Sequence, residues 1–327
     1  MEIITANFGS YPRVGEGPQE NRLRKKYQEK EEEKIGQEEL EEVYRDYSRK
    51  IIKEQESIGI DIVTDGLIRW YDPISHFGKN VKNCKIDGLK RFFDTNFYYR
   101  QPLIKGSIDR DGPTVLDEFQ IARRYTSNEL KPVLTGPFTL SDLSINEHYE
   151  DFESLVYDWG KILAEEVRDL SSSGAKKIQI NEPKILKKSE YFDLFNSVME
   201  DIEKANEGSD LFLYTYFGDS SNIYSDLQDL PVDLLGFDFF YGSNISEKIE
   251  EYGTEKYLGL GLINGRTTVM EEKEKVISKV ENLMSFIDKD KIYLNPSCGM
   301  EYLPRNVAFK KLKNMVEISK ELRRKIK

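Results

Sequence analysis

Eight short apolar stretches each run into polar, glycine or proline residues, and most of them alternate with segments of helical periodicity. A short apolar run bounded by such residues is typical of a buried strand. The eight predicted strands are Ile3–Gly9, Asp61–Gly66, Pro132–Pro137, Lys177–Pro183, Leu211–Gly218, Leu234–Phe240, Tyr257–Asn264 and Lys291–Cys298. Because strands that alternate with helices form parallel sheets, the pattern predicts an α/β protein with a (β/α)8 barrel.

Four longer segments carry apolar residues at the spacing of a helix face. They are Leu40–Ile51, Phe152–Leu170, Met270–Ile287 and Val307–Ile326. Such stripes predict amphipathic helices that pack on the strands. Gly174 follows the second of them and suits the left-handed conformation that commonly ends a helix.

One long stretch, Leu67–Pro113, lacks helical periodicity and is rich in aromatic residues. Loops of this length are uncommon in compact domains unless they have a function. We therefore expect a β-hairpin insertion at about 67–113, after the second strand, that covers the barrel mouth. The alternative is an insertion that packs only on itself. No repeat, linker or change in composition divides the chain, so residues 1–327 are expected to form a single barrel.

Composition narrows the classes of partner. The chain has 327 residues, a formal net charge of −11 and a pI near 5.1, which disfavours binding to nucleic acid or to an anionic membrane. Two cysteines, Cys84 and Cys298, argue for a reducing compartment rather than a disulfide framework. The chain lacks a signal-peptide pattern and an apolar run of membrane-spanning length. We expect a cytoplasmic protein that acts on small molecules.

The active site of such a barrel lies at the carboxyl ends of the strands. The polar residues expected there are Ser10, Asp65, Asn181, Glu182, Tyr216, Asp238, Asn264, Arg266 and Cys298. The candidate catalytic residues are Asp65, Asn181, Glu182 and Asp238. Carboxylates on separate strands would suit general acid–base chemistry, as in a barrel glycosidase, although acidic residues at strand ends are common.

Other chemistries lack their residues. The sequence has no glycine-rich phosphate-binding motif and no Walker lysine. His76 and His148 are the only histidines, and neither follows a predicted strand, which disfavours a serine triad. Cys298 has no neighbouring cysteine or histidine with which to form a zinc site.

Seven motifs, in order along nearly the whole chain, resemble cobalamin-independent methionine synthase. They are Gly9–Val14, Phe93–Phe97, Gly136–Thr139, Ile178–Pro183, Thr215–Gly218, Leu258–Arg266 and Pro296–Cys298. The resemblance implies methyl transfer from 5-methyltetrahydrofolate, with a polyglutamate tail, to homocysteine in methionine biosynthesis. Enzymes of that family normally have two barrels, and the second carries a zinc site that activates homocysteine.

The motifs are more similar to the amino-terminal barrel of that family than to the zinc-bearing one. Tyr216 and Gly218 stand where the zinc-bearing barrel has two metal ligands. Cys298 and Asp238 are the only ligand-type residues that remain, and two cannot complete a tetrahedral site. Asn181 replaces an aspartate that would hold the homocysteine ammonium group, so a charge-assisted contact is lost. The resemblance thus implies that this chain binds no zinc and works with a separate zinc-bearing barrel.

The resemblance also points to a folate-tail site. In the amino-terminal barrel, basic residues after the first strand and before the Asp-Thr-Asn motif contact the glutamate tail. The matching residues are Arg22, Arg24 and Arg91, where the family uses lysine. A guanidinium group binds a carboxylate at two points and is chemically suited to this role. The alternative is that the basic cluster is a solvated helix face.

Two rival functions stay open beside the methionine synthase component. One is a structural or regulatory barrel subunit without chemistry of its own. The other is a single-barrel methyltransferase that takes its methyl group from a corrinoid protein, which the missing zinc ligands disfavour.

Overall fold

The computed structural model describes residues 1–15, 17, 21–242, 244–287 and 290–326. Its strands are β1 (Glu2–Thr5), β2 (Ile62–Val63), β3 (Cys84–Arg91), β4 (Tyr98–Ile104), β5 (Glu129–Leu130), β6 (Val133–Thr135), β7 (Ile145–Asn146), β8 (Lys177–Asn181), β9 (Asp210–Thr215), β10 (Leu234–Asp238), β11 (Tyr257–Ile263) and β12 (Lys291–Pro296). All eight predicted strands are present, as β1, β2, β6 and β8 to β12. Each ends before its predicted end, because the polar residues that follow leave the sheet to build the barrel mouth.

A seven-stranded parallel sheet forms most of the barrel wall, in the order β1-β12-β11-β10-β9-β8-β6. β2 lies between the two ends of this sheet. On one side Ala6 pairs with Ile62, and on the other Lys131 N donates to Val63 O at 3.0 Å, next to the short β2–β5 pair. Pro132 separates β5 from β6, since it has no N–H to donate to a ladder. These contacts complete the ring of the predicted (β/α)8 barrel.

The helices connect the strands. Those of the described residues are α1 (Arg22–Glu31), α2 (Gln37–Ile58), α3 (Ser75–Gly78), α4 (Leu116–Arg123), α5 (Pro137–Leu143), α6 (Phe152–Ser172), α7 (Phe192–Ala205), α8 (Tyr224–Asp229), α9 (Ile245–Tyr252), α10 (Lys273–Met284) and α11 (Arg305–Ile326). Three short 3-10 helices lie at Pro183–Lys187, Ser189–Tyr191 and Ser221–Ile223. In the part of the chain that the structure describes, none of the helices combines the length and the apolar character needed to cross a bilayer.

The bounds of α6 follow from its sequence. The Asp151 side chain accepts a hydrogen bond from Ser154 N at 2.7 Å and caps the start of the helix. At the other end Gly174 adopts φ +86°, the left-handed conformation predicted for it. α10 begins at Lys273, later than the predicted start at Met270.

The predicted hairpin follows the second barrel strand. β3 and β4 pair antiparallel, with Cys84 opposite Ile104, and the short β7 adds to β4 in parallel. Two of its aromatic residues, Phe92 and Phe97, line a cavity at the barrel mouth. The hairpin therefore covers the mouth, as expected.

A buried carboxylate on α6 fixes the end of this insertion. Glu166 accepts hydrogen bonds from the backbone N–H groups of Thr114, Val115 and Leu116, at 2.6 to 3.1 Å. Arg110 Nη2 donates to the same carboxylate at 2.6 Å. Because the three N–H groups lie at the start of α4, Glu166 also satisfies donors that this helix leaves unpaired.

Candidate active site at the barrel mouth

A narrow cavity, here called the mouth cavity, lies where the strand ends meet the hairpin. The volume open to water is about 30 Å³, enough for about two water molecules. Its polar lining consists of Ser10, Arg13, Asn181, Tyr216, Glu301 and Tyr302. Three of these six, Ser10, Asn181 and Tyr216, are residues that the sequence placed at the active-site end.

Glu301 is the anionic group of the mouth cavity. Its Oε2 accepts a hydrogen bond from Ser10 Oγ, and the Tyr302 side chain also hydrogen-bonds to it. Burial raises the pKa of Glu301, while the Ser10 hydrogen bond and the charge of Arg13 act to lower it. A side chain at Gly299 would collide with both the Glu301 carboxylate and the Ser10 hydroxyl. Glycine at this position therefore lets the two groups meet.

Arg13 supplies the positive charge. Burial lowers its pKa, and the neighbouring Glu301 carboxylate opposes that shift. Arg13 also lines a larger outer groove of about 610 Å³, together with Arg24, Tyr27 and Tyr71. The mouth cavity thus places a cation and an anion close together, and through Arg13 it adjoins a partly aromatic groove. This combination suits the ammonium and carboxylate groups of a zwitterionic ligand, such as an amino acid, whose side chain must extend beyond the 30 Å³ of the mouth cavity.

Aromatic rings enclose the mouth cavity. The Phe217 ring centre lies 6.4 Å from that of Phe92 in the hairpin and 6.1 Å from that of Tyr302. Phe217 and Leu67 have positive φ values, +60° and +51°, and Leu67 lines the mouth cavity itself. Residues other than glycine rarely adopt this conformation, and such strain is frequent at functional sites.

Asn181 is held by a buried neighbour on the same strand. Gln179 Nε2 donates to Asn181 Oδ1 at 2.7 Å, and Gln179 Oε1 accepts from Lys131 Nζ. Asn181 is 8% exposed, and it lines the mouth cavity. The amide of Asn181 is therefore fixed from behind and directed at the site.

Glu182 lies outside the mouth cavity. It is fully buried and accepts hydrogen bonds from Phe138 N, at 2.9 Å, and from the Thr139 hydroxyl, both at the start of α5. Burial raises its pKa to about 8 although these donors act to lower it. Gly136 has no room for a Cβ because the Glu182 carboxylate occupies that space. The structure thus places Glu182 as a link between β8 and α5.

The two candidate aspartates also lie beside the mouth cavity rather than on its lining. Asp65 lines a separate small cavity with Glu118 and Lys131, and burial raises its pKa to about 6, with a further contribution from Glu118. Asp238 accepts from Phe240 N at 2.9 Å in the turn after β10, and burial raises its pKa to about 6. Asp65 Oδ1 also accepts from Leu67 N at 3.0 Å, so both carboxylates hold local turns, and their role in catalysis stays a prediction.

The donor atoms near Cys298 do not fit a tetrahedral zinc site. Cys298 is fully buried, its Sγ lies 3.5 Å from Gly299 O and 3.9 Å from Ser297 Oγ, and burial raises the pKa of its thiol well above the usual range. Zinc binds the thiolate and needs about four ligands. Among the residues described here, no group of three or more His, Cys, Asp or Glu side chains is placed to hold a metal ion. Whether the protein binds zinc stays a prediction.

Asn264 and Arg266 form the rim near the hairpin. The Arg266 guanidinium lies 5.1 Å from the Phe217 ring centre and 5.0 Å from that of Tyr241, and it donates to Asp94 O. Asn264 Oδ1 accepts from Arg266 N at 2.9 Å. These contacts fasten the hairpin to the β11 end.

The three arginines proposed for a folate tail contact different elements. Arg22 forms an ion pair with Asp46 on α2 at 3.2 Å, with both side chains largely exposed. Arg24 lines the outer groove. Arg91 pairs with Asp94 at 3.1 Å, at the end of the hairpin. Their role in tail binding stays a prediction.

Sequence reasoning missed three polar residues of the mouth cavity. Arg13 lies within the Gly9–Val14 motif, so the motif itself was a usable signal. Glu301 and Tyr302 lie beyond the end of the last predicted strand, and no local pattern marks them. The fold brings them to Ser10, near the other end of the chain.

Comparison with known proteins identifies relatives along the whole chain. Residues 3–321 match the family model described as "Cobalamin-independent synthase, Catalytic domain". The chain is 31% identical over 333 residues to the methionine synthase of Saccharolobus solfataricus, with 99% of this chain and 96% of that protein covered. The methionine synthase of Sulfolobus acidocaldarius is 30% identical over 331 residues, with coverage of 99% and 94%. Both relatives are thus of single-barrel length.

Solved structures support the fold. A B12-independent methionine synthase from Shewanella sp. W3-18-1, in complex with selenomethionine, superposes with a TM-score of 0.80 at 22% identity, and 98% of each chain is covered. A putative vitamin-B12-independent methionine synthase from Listeria monocytogenes gives a TM-score of 0.73 at 15% identity, covering 98% of this chain and 99% of that one. The matching family model is that of the catalytic domain, whereas the motifs read from the sequence favoured the amino-terminal barrel.

Proposed function

Because the chain belongs to the cobalamin-independent methionine synthase family, we propose that it takes part in methyl transfer from polyglutamylated 5-methyltetrahydrofolate to homocysteine. The observation that carries this proposal is the mouth cavity. It combines the Glu301 carboxylate, the Arg13 guanidinium and the Asn181 amide within a small aromatic enclosure. Such a set recognises the amino and carboxylate groups of an amino acid.

The possible zinc ligands of this chain suggest how substrate binding and metal chemistry are divided between two barrels. Cys298 and Asp238 do not complete a zinc site, so we assign the metal that activates the homocysteine thiol to a separate zinc-bearing barrel of the family. In this proposal the present chain binds and orients substrate, and the folate lies between the two barrels. The relatives of single-barrel length support the idea that a barrel of this family can be a separate chain.

Binding and turnover test the proposal together. Calorimetry should detect homocysteine or methionine binding to the purified chain, and Glu301→Gln should weaken it about tenfold because a charge-assisted contact is lost. Glu190→Gln, an exposed substitution on the 3-10 helix after β8, is the matched control and should bind like the wild type. Equal affinity for the wild type and Glu301→Gln would exclude the mouth cavity as the amino-acid site.

An assay of methionine formation distinguishes the proposed function from its two rivals, a structural or regulatory subunit and a corrinoid-dependent methyltransferase. Methionine should form from methyltetrahydrofolate and homocysteine only when a zinc-bearing family barrel is added. A structural or regulatory subunit would bind no substrate of its own. A corrinoid-dependent methyltransferase would form methionine alone when supplied with a methylated corrinoid protein. Turnover by the isolated chain with methyltetrahydrofolate would contradict the two-barrel division.

The folate tail is the second part of the proposal. Arg22, Arg24 and Arg91 are exposed cations in a chain of net charge −11, and each contact with a tail carboxylate is worth on the order of 1 kcal/mol after screening. Folate binding should therefore tighten from mono- to triglutamate and weaken with salt.

The triple variant Arg22→Ala, Arg24→Ala, Arg91→Ala should lose this dependence on tail length. A matched control is the triple variant Lys204→Ala, Lys248→Ala, Lys275→Ala, since each lysine pairs with an acidic residue three positions away and none lines the mouth cavity or the outer groove. Retention of the tail-length preference in the arginine variant would show that these residues are a solvated face.

A further inference from the structure

Lys131 is a buried lysine in the barrel interior. It is 1% exposed, and its Nζ donates to Gln179 Oε1 and lies 5.2 Å from the centre of the Tyr214 ring. Among the described residues, no Asp or Glu oxygen lies within 4.0 Å of this Nζ. Burying an ammonium group without a carboxylate partner is costly. Its position therefore calls for a role beyond packing.

The fold brings this amine to Gln179. Lys131 lies between β5 and β6, and β6 pairs in parallel with β8, with Val133 opposite Gln179. Gln179 N also donates to Pro132 O at 3.0 Å, which holds the two strands in register beside the lysine. The contact between the amine and the Gln179 side chain is thus set by the barrel wall.

The Lys131 amine fixes which groups of Gln179 and Asn181 donate and which accept hydrogen bonds. An ammonium group has donors and no acceptor, so it must face the carbonyl oxygen of the Gln179 amide. The Gln179 NH2 group is left to point the other way, and it donates to Asn181 Oδ1 at 2.7 Å. With its oxygen engaged, Asn181 has its NH2 group left for the mouth cavity that it lines.

We propose that Lys131 is a positioning residue that acts through Gln179 to make Asn181 a hydrogen-bond donor toward the mouth cavity, where it receives the carboxylate of an amino-acid ligand. The inference rests on the proposed function for the identity of the ligand. Glu301 then faces the ligand's ammonium group. The buried Lys131 thereby sets the orientation of the bound amino acid.

A ligand-free experiment tests the relay itself. Neutron diffraction from crystals of the deuterated protein, grown at pH 6, distinguishes the ND2 group from the oxygen of each amide. Below the pKa of about 7 that burial gives Lys131, the amine is an ammonium group. Deuterons on the Asn181 nitrogen that faces the mouth cavity are expected. Asn181 Oδ1 facing the mouth cavity would overturn the relay.

Turning the Asn181 amide around tests how its orientation affects ligand binding. The carboxylate in Gln179→Glu accepts from Lys131 and cannot donate to Asn181, so the Asn181 amide should turn and present its oxygen to the mouth cavity. Calorimetry at pH 6 would compare methionine with methioninamide, which keeps the ammonium group and lacks the carboxylate. The wild type should prefer methionine, and Gln179→Glu should lower that preference about tenfold or more.

Two further variants keep the test specific. Lys131→Met removes the donor and frees the Gln179 amide to turn either way, so the methionine preference should fall by less than in Gln179→Glu. Lys177→Met is the matched control, because Lys177 lies at the opposite end of β8 and pairs with Asp210 at 2.9 Å. Its preference should equal that of the wild type, and an unchanged preference in Gln179→Glu would refute the relay.

The experiments distinguish failure of the proposed amino-acid binding from failure of the Lys131–Gln179–Asn181 relay. If the wild type binds neither methionine nor methioninamide, the amino-acid substrate and the ligand assigned to Asn181 are both refuted. The neutron result still decides the relay in that case. Thermal unfolding of each variant shows whether an altered preference accompanies loss of the folded barrel.

Discussion

The substitution Glu166→Gln tests whether one carboxylate anchors the hairpin insertion to the barrel. Glu166 is 1% exposed and receives Arg110 Nη2 at 2.6 Å and three backbone N–H groups at 2.6 to 3.1 Å. Glutamine keeps one acceptor oxygen. Its NH2 group must face either the guanidinium or the backbone donors, and both are donors themselves.

The magnitude follows from these contacts. Removing one partner of a buried ion pair costs about 3–5 kcal/mol; Arg110 keeps Asp169 at 2.6 Å, but the three buried N–H groups also lose acceptor oxygens. For a chain of this size we expect the melting temperature to fall by roughly 6–10 °C, at about 2 °C per kcal/mol. The backbone around Thr114 should also become sensitive to protease, because the start of α4 loses its acceptor.

The adjacent residue provides the control. The side chain of Glu165 is 44% exposed and lies 3.7 Å from Arg110 Nη1, so Glu165→Gln removes the same charge from the surface. An exposed pair contributes about 0–1 kcal/mol, so this variant should melt within about 2 °C of the wild type. Calorimetric melting of the two variants decides the matter. A similar loss in both, or none in Glu166→Gln, would refute the anchoring role.

Three other outcomes follow from buried groups. Burial lowers the pKa of Lys131 from 10.5 to about 7, so between these pH values the folded state binds fewer protons than the unfolded state. The free energy of unfolding of the wild type should therefore rise by a few kcal/mol from pH 7 to pH 10, relative to that of Lys131→Met. Urea unfolding at the two pH values measures this difference. Gly136→Ala should destabilise the folded protein by about 2–4 kcal/mol, because the new Cβ meets the fixed Glu182 carboxylate. The control Gly36→Ala has open space around it and should cost under about 1 kcal/mol in the same thermal melt. Elemental analysis should find no stoichiometric zinc, and one zinc per chain that is lost in Cys298→Ala would contradict the argument from the donor set.

The sequence by itself determined the elements. Apolar runs bounded by turn residues located all eight barrel strands, because burial on both faces of a parallel strand leaves a continuous local signal. The same holds for the stripe of α6 and for Gly174, whose left-handed conformation depends on its own backbone. Motifs within single segments were also sufficient to recognise the family.

Only the tertiary structure decided which polar residues line the mouth cavity. Asp65, Glu182 and Asp238 have the sequence position of catalytic groups, yet their neighbours in space engage them in local structure. Glu301 meets Ser10, which is 291 positions away in the chain. Such a pairing has no local signature, since the approach of the two side chains depends on closing the barrel. Burial and partners, which decide what a polar group can do, are properties of that closed arrangement.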